Sequence, residues 1–262
     1  MDKLTEIMAH KRHEIRGNLR QVSEGELRGL ADPRRPSFLR AIAGRNKLSV
    51  IAEIKRKSPS AGSIAREASA VDQATLYARS GADAVSVLTD RKYFSGTLDD
   101  LVGVTEHFGR DSGAIPCLRK DFFLHPIQVV EAARAGASAI LIIVRTLRQE
   151  EIRALYRAAN LAGLDAIFEI HTEADLERAI LANARIVGVN NRNLATFSTD
   201  LAVSENLIPK IPHPLISIAE SGISTLEDVR RVKATGAHAA LIGQALMRHE
   251  DPGSFIEQIH DL

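Results

Sequence analysis

Charged and amide side chains recur in this chain at the ends of short apolar runs. Glu53 and Lys55 end the first run, and later runs end in a similar set of residues: Lys120, Glu169, Asn190, Glu220 and Ser221. One such charge would ordinarily be solvated, but five runs that end alike favour a shared pocket. Carboxylates and ammonium groups crowded into a partly dry pocket shift one another's pKa values, which general acid–base catalysis requires.

Two glycine-containing loops follow the last two apolar runs at matched positions. They read Ser221-Gly222 and Gly243-Gln244. Glycine lets the backbone approach an anion closely, and backbone N–H groups at such turns often bind phosphate. Each glycine alone indicates only a turn, whereas the matched pair predicts a phosphate site.

A basic segment, KRKSPSAG at residues 55–62, directly follows the first apolar run and includes Ser58 and Pro59. Its position favours a mobile cationic loop over an anionic substrate rather than a solvated face. Arg192 adds a further cation after the sixth run. A single large apolar residue would ordinarily pack in the core. Three such residues follow the second, third and sixth runs, and they are candidates to line a pocket for an aromatic substrate: Phe94, Phe122 and Leu194.

Eight β-branched apolar runs would position these side chains. Longer segments, most with helical periodicity, separate the runs, which read LSVIAEI, AVSVLTD, IPCLRKD, SAILIIV, DAIFEIH, RIVGVNN, PLISIAE and HAALIG. Strands that are apolar on both faces and alternate with helices predict a parallel sheet covered by helices.

A weak repeat of two strand–helix units favours one form of this sheet. Gly-Ala or Asn-Ala pairs precede the second, fourth, sixth and eighth strands, at Gly81, Gly136, Asn183 and Gly236. Gly and Asn suit the position after a helix, where φ is often positive. An open doubly wound sheet would also alternate strands and helices. Eight units with this repeat favour an α/β fold of the closed (βα)8 TIM-barrel type, whose C-terminal strand ends converge on one bowl.

The first 46 residues follow a different pattern. Apolar residues at helical spacing predict one amphipathic helix through Leu4, Ile7, Met8, Ile15, Leu19 and Val22. Asp32, Pro33 and Pro36 then interrupt it. We therefore expect one (βα)8-barrel domain over residues 1–262, with residues 1–46 as an N-terminal helical extension packed on the barrel.

Composition narrows the function further. The 262 residues match the ~250 of one barrel, and 34 Lys and Arg against 33 Asp and Glu create no global field for nucleic acid or a membrane. The single cysteine, Cys117, excludes an intramolecular disulfide and suits a reducing cytosol. No apolar run approaches the ~18 residues of a membrane span, and the N-terminus carries no signal-peptide pattern. We expect a cytoplasmic protein without nucleic-acid or membrane partners.

Segments in family order over nearly the whole chain resemble the indole-3-glycerol phosphate synthases of tryptophan biosynthesis. They are IAEIKRKSPSAG at residues 51–62, LTDRKYFSG at 88–96, LRKDF at 118–122, FEIH at 168–171, GVNNRNL at 188–194, IAESGI at 218–223 and LIGQALMR at 241–248. The Glu-x-Lys-x-x-Ser-Pro-Ser run is the most specific of them. The N-terminal helix also resembles the extension that precedes the barrel in this family.

This resemblance implies a substrate and a set of catalytic roles. The substrate is 1-(2-carboxyphenylamino)-1-deoxyribulose 5-phosphate, whose pyrrole ring closes with loss of carbon dioxide and water. Lys120 resembles the general acid of the family, and Glu169 resembles its base. Glu53, Asn190 and Glu220 would hold the sugar hydroxyls and set the charge of the lysine.

The same resemblance implies the substrate contacts. Lys55 and Arg192 would bind phosphate or carboxylate, in either order. Backbone groups would cradle the phosphate at Ser221, Gly222 and Gly243. Gln244 replaces the Ser or Glu of relatives, so its side chain is given no role. The anthranilate pocket would be lined by Pro59, Phe94, Phe122 and Leu194, next to Ser58. No metal or organic cofactor is expected, and the chain is expected to be a monomer or weak homodimer.

Alternative interpretations remain open. A Schiff-base aldolase would use Lys120 as a nucleophile. Another phosphate-binding barrel, such as the neighbouring isomerase of the pathway, is disfavoured by the Glu-x-Lys pair. A non-catalytic scaffold would have no use for clustered charges that are costly to desolvate. His171 lies two residues after Glu169 but equally suits the approach to the next helix, so it is given no catalytic role.

Overall fold

Eight parallel strands form a closed barrel in the structure, a computed structural model that describes residues 3–43, 47–59, 62–64, 68–109, 114–193, 196 and 198–262. The strands are β1 (Ser49–Ile54), β2 (Ala84–Leu88), β3 (Cys117–Lys120), β4 (Ala139–Ile143), β5 (Asp165–Ile170), β6 (Ile186–Asn190), β7 (Ile216–Glu220) and β8 (Ala239–Ile242). Each strand pairs with its neighbours along the chain, and β8 closes the barrel on β1. The predicted (βα)8 barrel is confirmed, and each strand falls within a predicted run.

Helices surround the barrel and precede it. Those before β1 are α1 (Lys3–Ile15), α2 (Glu24–Arg28) and α3 (Phe38–Ile42). Those after it are α4 (Ala70–Arg79), α5 (Arg91–Phe94), α6 (Leu98–Phe108), α7 (Pro126–Arg134), α8 (Gln149–Leu161), α9 (Glu173–Leu181), α10 (Ala202–Leu207), α11 (Leu226–Ala234), α12 (Gln244–Arg248) and α13 (Pro252–Asp261). A short hairpin, Lys57–Ser58 with Gly62–Ser63, follows β1 and was not predicted.

Two apolar layers place the site at one end of the barrel. Outward-facing strand residues such as Val50 and Cys117 pack against the helices. Inward-facing residues such as Ile51 and Leu118 fill the barrel, and Phe38 of α3 packs with them. Leu39 of α3 also donates a backbone hydrogen bond to Asp165, the first residue of β5 (2.9 Å). The N-terminal end of the barrel is therefore covered by α3, and the C-terminal end holds the polar side chains.

The residues before the even-numbered strands have the predicted backbone conformation. φ is +87° at Gly81, +81° at Gly136, +61° at Asn183 and +84° at Gly236. Glycine tolerates this left-handed region because it has no Cβ atom, and asparagine because its short polar side chain can hydrogen-bond locally. The repeat seen in the sequence is thus a repeated helix ending.

The N-terminal extension differs from the single helix that was predicted. α1 ends at Ile15, and a 3-10 turn over Arg16–Asn18 follows. Gly17 and Asn18 are poor helix formers, and Ser23 begins α2 by accepting a hydrogen bond from the Glu26 N–H group. The apolar spacing that reached Leu19 and Val22 therefore crosses a helix boundary. α3 is a third helix, also not predicted.

Within the described ranges, no helix is both long enough and apolar enough to cross a membrane.

Candidate active site

A cavity opens at the C-terminal end of the barrel. Every predicted site residue that the structure describes lines it: Glu53, Lys55, Ser58, Pro59, Phe94, Lys120, Phe122, Glu169, Asn190, Arg192, Glu220, Ser221, Gly222, Gly243 and Gln244. Leu194 lies outside the described residues. The strand ends and the loops that follow them thus bring together residues that are up to 191 positions apart in sequence, from Glu53 to Gln244, because parallel strands of a barrel share one end.

Lys120 lies at the centre of the charged part of the cavity. It ends β3 and shares the inward face of that strand with Leu118. Its Nζ lies 2.7 Å from Glu220 Oε2 and 3.1 Å from Glu169 Oε2. The ammonium group is therefore held between carboxylates from β5 and β7.

Burial and neighbouring charges shift the pKa values of Lys120, Glu220 and Glu169 by different amounts and in different directions. Burial alone would lower the pKa of Lys120, but the three surrounding carboxylates outweigh it and raise the pKa. Burial raises the pKa of Glu220 to about 7, because Lys120 only partly offsets it. For Glu169, burial alone would raise the pKa, but Lys120, His171 and Asn190 together outweigh it, and the pKa lies below its ordinary value. At neutral pH the cavity holds a protonated lysine and an ionised Glu169.

A second acid–base pair comes from the first strand. Glu53 and Lys55 point to the same side of β1, as their spacing predicted, and form an ion pair. The Glu53 carboxylate also lies against Gly243, where a Cβ atom would come within 2.5 Å of its Oε1. Glu220 lies in the same way against Gly188, with 2.0 Å between an added Cβ and its Oε1. Gly188 was not predicted as a site residue, and its place two residues before Asn190 on the inward face of β6 was the available signal.

Asn190 links the acid–base group to the loop after β6. Its side chain hydrogen-bonds to Glu169, and its Oδ1 accepts a hydrogen bond from the Arg192 N–H group (3.0 Å). Burial lowers the pKa of the Arg192 guanidinium, although Glu53 opposes the shift. Asn190 therefore orients the carboxylate while the same loop brings a cation to the cavity.

The loops after β7 and β8 form the opposite wall. Ser221 and Gly222 both have positive φ, +67° and +78°. The side-chain amide of Asn191 donates a hydrogen bond to the Ser221 carbonyl (3.0 Å) and fixes this unusual backbone. Gly243 is the N-cap residue of α12, and no side chain caps that helix within the described part of the chain. Backbone N–H groups at this wall suit an anion.

Aromatic and aliphatic side chains line the remaining side. The rings of Phe94 and Phe122 lie 6.2 Å apart, centroid to centroid. Leu4 and Ile7 of α1 line the cavity beside them. Both residues were predicted to lie on the apolar face of a helix, but the contact of this face with the cavity was not predicted.

His171 lies beside the acid–base group without lining the cavity. Its Nε2 is 3.7 Å from Glu169 Oε1, beyond hydrogen-bonding distance. Burial is the main cause that lowers its pKa. We therefore assign it no contact with a substrate.

A closed barrel whose C-terminal bowl holds a protonated lysine among carboxylates has the architecture of a (βα)8-barrel enzyme that transfers protons. Comparisons with known proteins specify the family. The family model of indole-3-glycerol phosphate synthase matches residues 4–259. The chain is 57% identical over 260 residues to indole-3-glycerol phosphate synthase from Opitutus terrae, with 98% of each chain covered. It is 42% identical over 263 residues to the enzyme of that name from Desulfosudis oleivorans, again with 98% of each covered.

A solved structure supports the fold alone. Thiamine phosphate pyrophosphorylase from Pyrococcus furiosus has a TM-score of 0.62 to this chain at 16% identity, over 82% of this chain and 95% of that one. The family match and the sequence relatives carry the assignment. This chain belongs to the indole-3-glycerol phosphate synthase family.

Proposed function

We propose that this cavity converts 1-(2-carboxyphenylamino)-1-deoxyribulose 5-phosphate into indole-3-glycerol phosphate, carbon dioxide and water. The observation that carries the proposal is Lys120, held between Glu169 and Glu220 at 3.1 and 2.7 Å. An aromatic carbon must attack the substrate's ketone, and the ketone oxygen must gain a proton as the new bond forms. A positioned ammonium group serves both needs, since it stabilises the developing negative charge and donates the proton.

Lys120 is the general acid in this proposal. Its raised pKa keeps it protonated at neutral pH. The same property disfavours the aldolase alternative, because a Schiff base forms only from a neutral amine. The proposal gives the electrophilic role to this residue and includes no metal or organic cofactor.

Glu169 is the base for the later dehydration. Its lowered pKa keeps it ionised, whereas Glu220, with a pKa of about 7, is partly protonated under the same conditions. Glu169 is therefore the one of the two that stays ionised, and so available to accept a proton, at neutral pH. Glu53, Asn190 and Glu220 hold the sugar hydroxyls and maintain the charge of Lys120.

The substrate lies across the cavity, and protein groups bind its two anionic parts, the phosphate and the carboxylate. The phosphate binds to backbone N–H groups at Ser221, Gly222 and Gly243, next to Gln244. Lys55 and Arg192 bind the phosphate or the carboxylate. The anthranilate ring lies against Phe94 and Phe122, with Ser58 and Pro59 closing the pocket from the loop after β1. Leu194 is proposed for the same pocket from the sequence resemblance alone.

The proposal places this reaction in the cytoplasm, in a monomer or weak homodimer without nucleic-acid or membrane partners. The free, buried thiol of Cys117 is compatible with a reducing compartment.

The test is direct assay of the purified protein with this substrate. Indole fluorescence should rise, and the product mass should be lower than that of the substrate by one carbon dioxide and one water. Borohydride added during turnover should leave Lys120 unmodified. A reduced covalent adduct on Lys120, with no indole fluorescence, would support the aldolase instead.

A further inference from the structure

One lysine of the N-terminal helix is buried outside the barrel. The side chain of Lys11, on α1, is 1% exposed. Its Nζ lies 3.0 Å from each of three carboxylates: Glu14 on the same helix, Asp90 after β2, and Asp121 after β3. Burial alone would lower the pKa of Lys11, but Asp121 and Asp90 outweigh it and raise the pKa. The group is therefore a permanent cation that joins the extension to two loops of the barrel.

Asp121 connects this cation to the general acid. It directly follows Lys120, and its Oδ1 accepts a hydrogen bond from the Phe122 N–H group (2.8 Å). Its Oδ2 accepts one from Thr89 Oγ1 (2.6 Å) and lies 3.1 Å from Arg119 Nη2. The Thr89 N–H group in turn donates to the Lys120 carbonyl (3.1 Å). Asp121 thus fixes the backbone that follows Lys120 and holds the side chain of Arg119, the residue before it.

Asp90 connects the same cation to the aromatic wall. Its Oδ1 accepts a hydrogen bond from the Tyr93 N–H group (2.8 Å) and so caps α5. α5 is a single turn that ends with Phe94. The orientation of this short helix, and with it the position of the Phe94 ring, depends on the Asp90 carboxylate that Lys11 contacts.

We propose that Lys11 is a positioning residue of the active site, which acts through Asp121 on Lys120 and through Asp90 on Phe94. The proposal rests on the roles of Lys120 and Phe94 in the proposed function. It makes the N-terminal helix part of the catalytic apparatus, with one buried ammonium as the link. A displacement of about 1 Å at a reacting group can lower a rate about 100-fold, so loss of this link should appear in turnover.

The first experiment compares Lys11→Met with Arg12→Met. Arg12 is the next residue of α1 and is exposed, so its variant removes a cation from the same helix without touching the cluster. We expect Lys11→Met to lower kcat about 10- to 100-fold, because the segments next to Lys120 and Phe94 lose a shared contact. Arg12→Met should stay within about twofold of wild type, as is usual for a surface change.

A pH profile separates positioning from general loss of structure. The charged groups that face the cluster are Glu14 on α1, Asp90, Asp121 and Arg119. Without Lys11, Asp121 loses one of the cations that lower its pKa, so its carboxylate should take up a proton at higher pH. The acidic limb of kcat should therefore move to higher pH in Lys11→Met and stay in place in Arg12→Met. Lys11→Arg, which keeps the charge, should recover part of kcat and restore the limb.

A second variant keeps the test decisive if Lys11→Met does not fold. Lys11→Met combined with Asp121→Asn removes the cation and one carboxylate together, which avoids leaving that charge buried and unpaired. It should fold and still show the loss in kcat. Wild-type kcat with an unmoved acidic limb in folded Lys11→Met, or wild-type kcat in the folded double variant, would overturn the assignment of Lys11. A wild-type protein that forms no indole product would instead contradict the proposed function, and the role of Lys11 with it.

Discussion

Two carboxylates of the cavity occupy space that a Cβ atom would fill on a neighbouring strand. Glu220 lies over Gly188, and Glu53 lies over Gly243. Gly243 was predicted from the need for close approach to phosphate, and the structure adds a second reason for glycine at that position. Because Glu220 holds Lys120 at 2.7 Å, the space above Gly188 sets where the ammonium lies.

Gly188→Ala should therefore impair turnover. The new Cβ would come within 2.0 Å of Glu220 Oε1, so the carboxylate must move and Lys120 with it. We expect kcat to fall about 10- to 100-fold. Gly17→Ala is the matched control, since nothing lies within 4 Å of a Cβ there. Steady-state kinetics of both variants checks the prediction. An unchanged kcat in folded Gly188→Ala would mean that catalysis does not depend on the position of the Glu220 carboxylate above Gly188.

At the scale of the elements, the two ends of each strand have different tasks. The C-terminal ends carry the cavity, and the N-terminal ends receive helices that stop at residues with positive φ. Substitutions at the two ends should therefore have different consequences, on activity at one end and on stability at the other.

Gly236→Ala tests this division at the end that lacks the cavity. Its φ is +84°, and nothing lies within 4 Å of an added Cβ, so the effect is backbone strain alone. We expect the free energy of unfolding to fall by about 1 kcal/mol, with kcat unchanged. Gly25→Ala, inside α2, should show no such loss. Urea unfolding and kinetics measure both quantities, and a reduced kcat in Gly236→Ala with unchanged stability would contradict the division.

The elements also show how far sequence patterns reach. The eight strands and their helix endings were predictable because both leave local signals, namely apolar runs and Gly or Asn at fixed places. The end of α1 at Ile15 was not, because the apolar spacing continues to Val22 across the break at Gly17. Periodicity shows which face of a helix is apolar but not which surface it meets. For that reason Leu4 could not be placed at the cavity, nor Lys11 beside Asp90 and Asp121, before the structure was known.

At the scale of the whole molecule, buried charge makes stability depend on pH. Burial alone would raise the pKa of Asp121, but Arg119 and Lys11 outweigh it and bring the pKa to about 2. An aspartate in the unfolded chain has a pKa of about 3.9, so the ionised form stabilises the folded state. This contribution is fully present above the unfolded pKa and is lost as pH falls through about 4 towards 2.

We therefore expect Asp121 to contribute about 2 kcal/mol of stability at pH 6 that is largely absent near pH 2. Urea unfolding of the wild type and of Asp121→Asn at pH 6, 4 and 2.5 measures it. The variant should be less stable at pH 6, and its difference from wild type should shrink towards pH 2.5. A difference that is constant over this range would mean that the charge of Asp121 does not stabilise the fold.

The most direct test of the central claim is the rate of indole-3-glycerol phosphate formation by Lys120→Met, with circular dichroism to verify the fold. Methionine keeps much of the length of lysine but cannot donate a proton or stabilise a developing negative charge. A positioned general acid contributes about 100- to 10,000-fold, so kcat should fall by at least about 100-fold while the variant remains folded. A folded Lys120→Met variant with more than about a tenth of wild-type kcat would contradict the assignment of Lys120 as the general acid.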